Sequence, residues 1–368
     1  MVFRSAYGDF ATAGRHETIN RWAAVVTSAP FSADLVGRIL RQYDLPPPDA
    51  EQVAGMAQGF AGAVVRVRRD EGDLVVKQLD RSRPAEKTAF ALHYHAHLHA
   101  AGVPCPRPWR TVGGELKTSL PEGDFTVQEW RDGEVFVAAG EDVATRQARR
   151  RAMGDLLGRI HAASDADLAD AAPPACRQSP RRLFTHLPRA VDGMPWGRFG
   201  APARHLWLLL NEPGGFGGEI RHALNLLARA HERLAVIKPA ADPRLAPSLA
   251  VHNDFHFENV LFHGDAPVAV LDCDNALVGS RAYDIGSSMA VICAGREHED
   301  EFLAAFEAAG GGPRPDADLL RACVLRRLTA SLGSQVVAYT RGHGPGREMT
   351  RAWLRRLVAM LEAELAAG

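Results

Sequence analysis

The side chains best suited to chemistry stand in one short segment: His252-x-Asp254-x-x-x-x-Asn259, followed by Asp272 and Asp274. Largely apolar runs frame them, Val260 to His263 on one side and Val268 to Leu271 on the other. Such runs read as two strands joined by Gly264-Asp265-Ala266-Pro267. Folding that hairpin about its turn places Asn259 opposite Asp272, to within about one or two residues of register. An amide and a carboxylate facing each other, with Asp274 close by, are hard oxygen donors. They suit a magnesium ion that keeps positions open for substrate phosphates. Asp254 precedes Asn259 on a loop, so its carboxylate reaches the same space from the opposite side, where it can orient or deprotonate a hydroxyl.

Elements elsewhere must hold these groups. Residues 1 to 30 show no strong period, and Phe31 to Tyr43 reads as a short amphipathic helix stopped by Pro46-Pro47-Pro48. A glycine loop, Gly59-Phe60-Ala61-Gly62, precedes a predicted hairpin of Ala63 to Arg69 and Asp73 to Leu79. Pro84 and Gly102 bracket a helix whose stripe is Phe90, Tyr94, Leu98 and Ala101. Arg110 to Gly114 and Phe125 to Trp130 read as further strands, and Arg131-Asp132-Gly133 closes the β-rich part. Beyond it the pattern is mainly helical, around 141–163, 200–211, 217–236, 299–309, 317–339 and 346–366, with strands around 248–272 and a Pro/Gly/Arg-rich stretch at 171–203. No internal repeat is found.

Composition narrows the function classes. The 368 residues suffice for two folded units or one bilobed one, and a net charge of −1 supplies no field to draw the chain onto nucleic acid or an anionic membrane. The first residues lack a signal peptide's basic and apolar regions, and no apolar stretch reaches the ~18 residues of a membrane span, so a cytoplasmic location is expected. Cys105, Cys176, Cys273, Cys293 and Cys323 are odd in number and lack Cys-x-x-Cys spacing, the pattern of reduced core thiols. His93, His95, His97 and His99 have helical pair spacing but neither a glutamate nor a cysteine placed to complete a zinc site, and read as a polar helix face.

With these residues in view, the segment from His252 to Asp272 resembles the catalytic loop and metal-binding aspartate of the aminoglycoside phosphotransferase and choline kinase superfamily, relatives of the protein kinases. Gly102-Val103-Pro104, Thr111-x-Gly113-Gly114, Gly158-Arg159-Ile160-His161 and Tyr283-Asp284-Ile285-Gly286 resemble its homoserine kinase type II-like branch, and the likeness runs from about 31 to 340. It implies an α+β, bilobal protein-kinase-like fold: residues 1–130 as lead-in and nucleotide lobe, 131–368 as a helical lobe with the catalytic loop and acceptor site. It also implies ATP or GTP and Mg²⁺ as cofactors, with a small-molecule hydroxyl (amino-alcohol, sugar or antibiotic) as acceptor. By the same resemblance Gly59 and Gly62 cover the nucleotide, Lys77 grips its α- and β-phosphates and Gln128, Glu129 and Trp130 form the hinge that meets adenine. Asn259 and Asp272 hold the metal, and Asp254 serves the acceptor. His252 and Asp284 brace the loop. A protein Ser/Thr kinase of the same fold, or a weakly active nucleotide-binding pseudokinase, are the alternatives.

Two positions depart from the family pattern. Ala91 stands where a helix glutamate usually pairs with the lysine, and Glu86 lies five positions earlier, about 140° around the helix. Asn253 stands where glycine is common, and asparagine is the best other choice if the backbone there is left-handed. Residues 321–356 carry eight arginines (321, 326, 327, 341, 347, 351, 355 and 356) against one carboxylate, Glu348. If they line the acceptor cleft, they favour an acceptor with a carboxylate or phosphate, or a neutral sugar, over a polycationic drug; otherwise they are a solvated helix face.

Overall fold

The computed structural model describes residues 31–55, 63–136, 142–164, 166–179, 216–237, 242–293, 295–341 and 347–367. The glycine loop with Gly59 and Gly62, the helix expected at 200–211 and most of the Pro/Gly/Arg-rich stretch lie outside them.

The N-terminal part is a five-stranded antiparallel sheet of order β1-β2-β3-β5-β4: β1 Val53–Gly55, β2 Val64–Val67, β3 Leu74–Leu79, β4 Thr118–Leu120 and β5 Gly123–Glu129. Strand alternation divides its faces. Val65, Val67, Leu74, Val76, Phe125 and Val127 pack against helix α1 (Ala33–Arg41), together with Phe31 and Tyr43. Ser32 caps α1 by accepting the Leu35 N–H at 3.2 Å. The opposite parity, with Lys77 paired to Thr126 across β3 and β5, turns toward the rest of the molecule. The strand expected at 110–114 is instead a turn. Gly114, at φ +85°, donates to the Thr111 carbonyl, and Val112 is 78% exposed. The paired glycines override the β-branched residues there, and the strand forms four residues after the turn.

Helix α2 (Ala85–Ala100) buries Phe90, Ala91, Tyr94 and Leu98, as its stripe predicts, whereas Ala101 is an exposed C-cap. Its buried face joins the large core of the C-terminal part rather than the core shared by the sheet and α1. That part contains α3 (Val143–Ala163), α4 (Ala166–Asp170), α5 (Phe216–Ile237), α6 (Arg281–Ile292), α7 (Glu299–Ala308), α8 (Ala317–Arg341) and α9 (Arg347–Ala366). Two small sheets complete it: β6 (Glu134–Val135) with β8 (Val260–His263) and β9 (Ala266–Val270), and β7 (Leu249–Val251) with β10 (Leu277–Gly279). The helix α6 was not legible by period, because nearly every residue in it is buried and no polar face marks the turn of the helix.

The β8–β9 hairpin turns on Gly264 and Asp265, with His263 paired to Ala266, so Ala266 and Pro267 belong to the strand. On an edge strand, at a register shift beside Phe262, the missing proline N–H costs nothing. That shift sets Asn259 against Leu271, whose N–H donates to the Asn259 carbonyl at 2.8 Å, and leaves Asp272 one residue beyond. All five cysteines are free and buried. His95, His97 and His99 pin α2 to the carbonyls of Pro106, Ala163 and Cys105, so this row is a set of structural pins rather than a solvated face. No helix among the described residues is long and apolar enough to cross a membrane.

Candidate active site

Strand β7 delivers the chain into the loop at His252, which is fully buried with its Nε2 3.0 Å from the Leu271 carbonyl. Asn253 follows at φ +64°, the left-handed region in which asparagine is the most tolerated residue after glycine. Its N–H donates to Asp284 Oδ1 at 3.0 Å, and Asp284 Oδ2 lies 2.8 Å from His161 Nε2. A buried pair contributed by α3 and α6 therefore fixes the turn that aims Asp254.

Three groups meet the Asp254 carboxylate. Arg327 Nη2 donates to Oδ1 at 3.0 Å, Asn275 Nδ2 to Oδ2 at 3.3 Å, and His256 Nε2 stands 3.6 Å from Oδ1. Burial works to raise its pKa, but His256 and the Arg327 guanidinium outweigh it and hold the carboxyl well below its usual range. The Asn259 side-chain nitrogen is committed to the loop, donating to the Asp254 carbonyl at 2.8 Å with His256 Nε2 at 3.2 Å. The Asn259 amide oxygen is thus the atom left for a ligand.

Asp272 is also left-handed, at φ +56°, and opens a 3₁₀ turn, Cys273–Asn275. Lys77 Nζ lies 2.9 Å from Asp272 Oδ1 and 2.8 Å from Asp274 Oδ2. The lysine side chain is 16% exposed; burial alone would lower its pKa, and the two carboxylates, Asp274 foremost, raise it instead. A cavity between sheet and turn is lined by Lys77, Thr126, Gln128, Ala91, His95 and Asp272. Glu129 and Trp130 are outside its lining. Their N–H groups donate to the carbonyls of Arg107 and Asp73, the Trp130 indole donates to Asp132 at 2.7 Å, and Arg66 stacks 4.1 Å above the indole ring.

Lys77, Gln128 and Asp272 thus share one cavity, while Asp254 and Asn259 are joined on the loop whose ladder bond leads to Asp272. Motif spacing does not single out Asn275 or His256 as neighbours of the carboxylate. For Arg327 a signal exists: two consecutive arginines interrupt a stretch of α8 whose other residues from Ala322 to Thr329 are buried. Of the other arginines there, Arg321 pairs with Glu299 and Glu364 and Arg355 with Glu219, carboxylates from outside the segment.

Residues 52–323 match the family model described as the phosphotransferase enzyme family. The chain belongs to that family. This phosphotransferase is 25% identical over 343 residues to the homoserine kinase of Pseudomonas aeruginosa, covering 92% of this chain and 89% of the relative. Its fold is similar to that of spectinomycin phosphotransferase APH(9)-Ia, solved with ADP and spectinomycin (TM-score 0.59, 12% identity, 91% of this chain and 98% of the other). It is similar as well to amicoumacin kinase hAmiN, solved with AMP-PNP, Ca²⁺ and its antibiotic (TM-score 0.55, 16% identity, 86% and 89%). The phosphotransferase is thus a small-molecule kinase with a bilobal, protein-kinase-like α+β fold.

Proposed function

We propose that this phosphotransferase moves the γ-phosphoryl group of ATP to a hydroxyl of a small acceptor that carries a carboxylate or is uncharged, as an amino-acid alcohol does. The observation that carries the reading is the Asp254–Arg327 pair at 3.0 Å: the acid on the acceptor side is neutralised locally by a cation, which disfavours a polycation beside it. Homoserine, the acceptor named for the homoserine kinase to which the chain is similar, is an amino-acid alcohol of this kind.

Phosphoryl transfer passes through a loose transition state, so positioning and charge neutralisation do most of the work. Residues 1–130 form the nucleotide side and 131–368 the acceptor side. Lys77 holds the α- and β-phosphates, and Gln128 lines the base-side wall. Asp254, ionised throughout the neutral range, orients the acceptor hydroxyl toward the phosphorus and takes its proton as the new bond forms. Arg327 stands beside that carboxylate and receives an acceptor carboxylate in charge-assisted hydrogen bonds.

The donor set fits a magnesium ion: the Asn259 amide oxygen and the second Asp272 oxygen are hard donors that would hold it and would leave its other positions to oxygens from outside the chain. When bound, Mg²⁺ neutralises charge on those oxygens.

The test is transfer of label from [γ-³²P]ATP across hydroxy-amino acids, sugars, aminoglycosides and a generic protein substrate. Labelling of a carboxylated or neutral small acceptor is expected. Turnover confined to aminoglycosides, or label found on protein alone, would contradict the reading.

A further inference from the structure

In protein-kinase-like phosphotransferases the phosphate-gripping lysine is steadied by a glutamate on the neighbouring helix. Here that place is taken by Ala91, which is 5% exposed and lines the same cavity as Lys77. Glu86 is exposed on the first turn of α2. Of the other helix residues lining the cavity, Leu92 is apolar, and His95 donates to the Pro106 carbonyl at 2.8 Å and stays neutral, its pKa pushed down by burial to about 4. Helix α2 therefore brings no anion to the lysine from any of these positions.

The anion comes from the other wall. The 3₁₀ turn Cys273–Asn275 packs against α2, and Asp274 on that turn places Oδ2 2.8 Å from Lys77 Nζ. Asp272 also touches the lysine, at 2.9 Å, but its carboxylate is the one a nucleotide-bound cation engages in the proposed reaction. The proposed reaction assigns the cation to Asn259 and Asp272 and leaves Asp274 to the lysine.

We propose that Asp274 is the positioning residue for Lys77, taking over from the absent helix glutamate. This rests on the phosphotransferase reading of Lys77 and adds a consequence to it. The brace for the lysine and the ligand for the metal are two residues apart on one turn, so the grips on the α/β-phosphates and on the cation are set by the same backbone. The position of α2 does not switch the lysine on or off.

Binding of ADP to the full chain is measured by calorimetry in EDTA and again in Mg²⁺, for wild type, Asp274→Asn, Lys77→Met and the double variant. The expected result is a loss of about tenfold in metal-free ADP affinity for each single variant, with the double no weaker than Lys77→Met, as for two groups acting as one unit. Unchanged metal-free affinity in Asp274→Asn beside a clear loss in Lys77→Met would overturn the brace and leave the role of Lys77 intact, as would penalties that add. Unchanged binding in Lys77→Met would overturn the reading of the lysine itself. A second variant is independent of that comparison: Ala91→Glu in the Asp274→Asn chain, if it folds, restores metal-free affinity because it returns the missing carboxylate from the helix side.

Discussion

The guanidinium of Arg327 lies 3.0 Å from the carboxylate of Asp254, a contact between α8 and a loop 73 residues earlier in the chain. It gives the loop acid a permanent cationic neighbour. Against burial, which raises the pKa, His256 and this guanidinium together keep the carboxylate charged well below the pH at which an ordinary aspartate protonates.

The sign of the pH effect follows. Asp254 has a depressed pKa in the folded protein, so its ionised form survives as pH falls, and the acid limb of kcat/KM lies below the ordinary carboxylate range. Arg327→Met lets that pKa rise, so the acid limb moves to higher pH, and the KM for a carboxylated acceptor increases by roughly tenfold or more. A pH–rate profile of the two proteins checks both effects.

Asn253 holds φ +64° while its N–H serves Asp284. Asn253→Gly should be nearly neutral in stability and turnover. Asn253→Val should cost about 1–2 kcal/mol and lower turnover, because the side chain resists the left-handed backbone that aims Asp254. Chemical denaturation with parallel assays measures the contrast.

Much of this was legible beforehand. The spacing from His252 to Asp272 and the strand lysine points to groups that the fold does bring together, Lys77 with Asp272 and Asp254 with Asn259, and the left-handed backbone at Asn253 follows from the residue chosen there. What hid was set by three-dimensional context. The partner of Asp254 comes from a distant helix, the β8–β9 register depends on a shift beside Phe262, and α6 has no polar face to betray its period. The contacts that hold the Trp130 indole, Asp132 and the stacked Arg66, were likewise not readable from spacing.

Helices α3 and α7 touch backbone to backbone. A methyl group on Gly154 would fall 2.2 Å from the Phe302 carbonyl oxygen, and one on Gly158 2.4 Å from that of Phe306. Neither helix can yield locally, so Gly154→Ala and Gly158→Ala should each destabilise the fold by about 1–3 kcal/mol. Gly158→Ala should also reduce turnover, since α3 carries the His161 that holds Asp284. Thermal melts read the first effect and steady-state rates the second.

His95 resists protonation until about pH 4, chiefly because it is buried, whereas an unfolded histidine binds its proton near 6.5. Between those values the unfolded chain holds more protons, so this residue makes stability fall as pH drops through that window and leaves it full above it. His95→Gln should flatten the dependence between pH 6.5 and pH 4 relative to wild type, whatever the carboxylates contribute to both. Denaturant midpoints across that range decide it.

The most direct measurement is phosphoryl transfer from ATP to the acceptor found in the panel, by wild type, Asp254→Ala and Asp272→Ala, with circular dichroism to confirm that each variant is folded. The account predicts folded variants whose turnover falls by about two to four orders of magnitude. Near-normal turnover in either variant would contradict it.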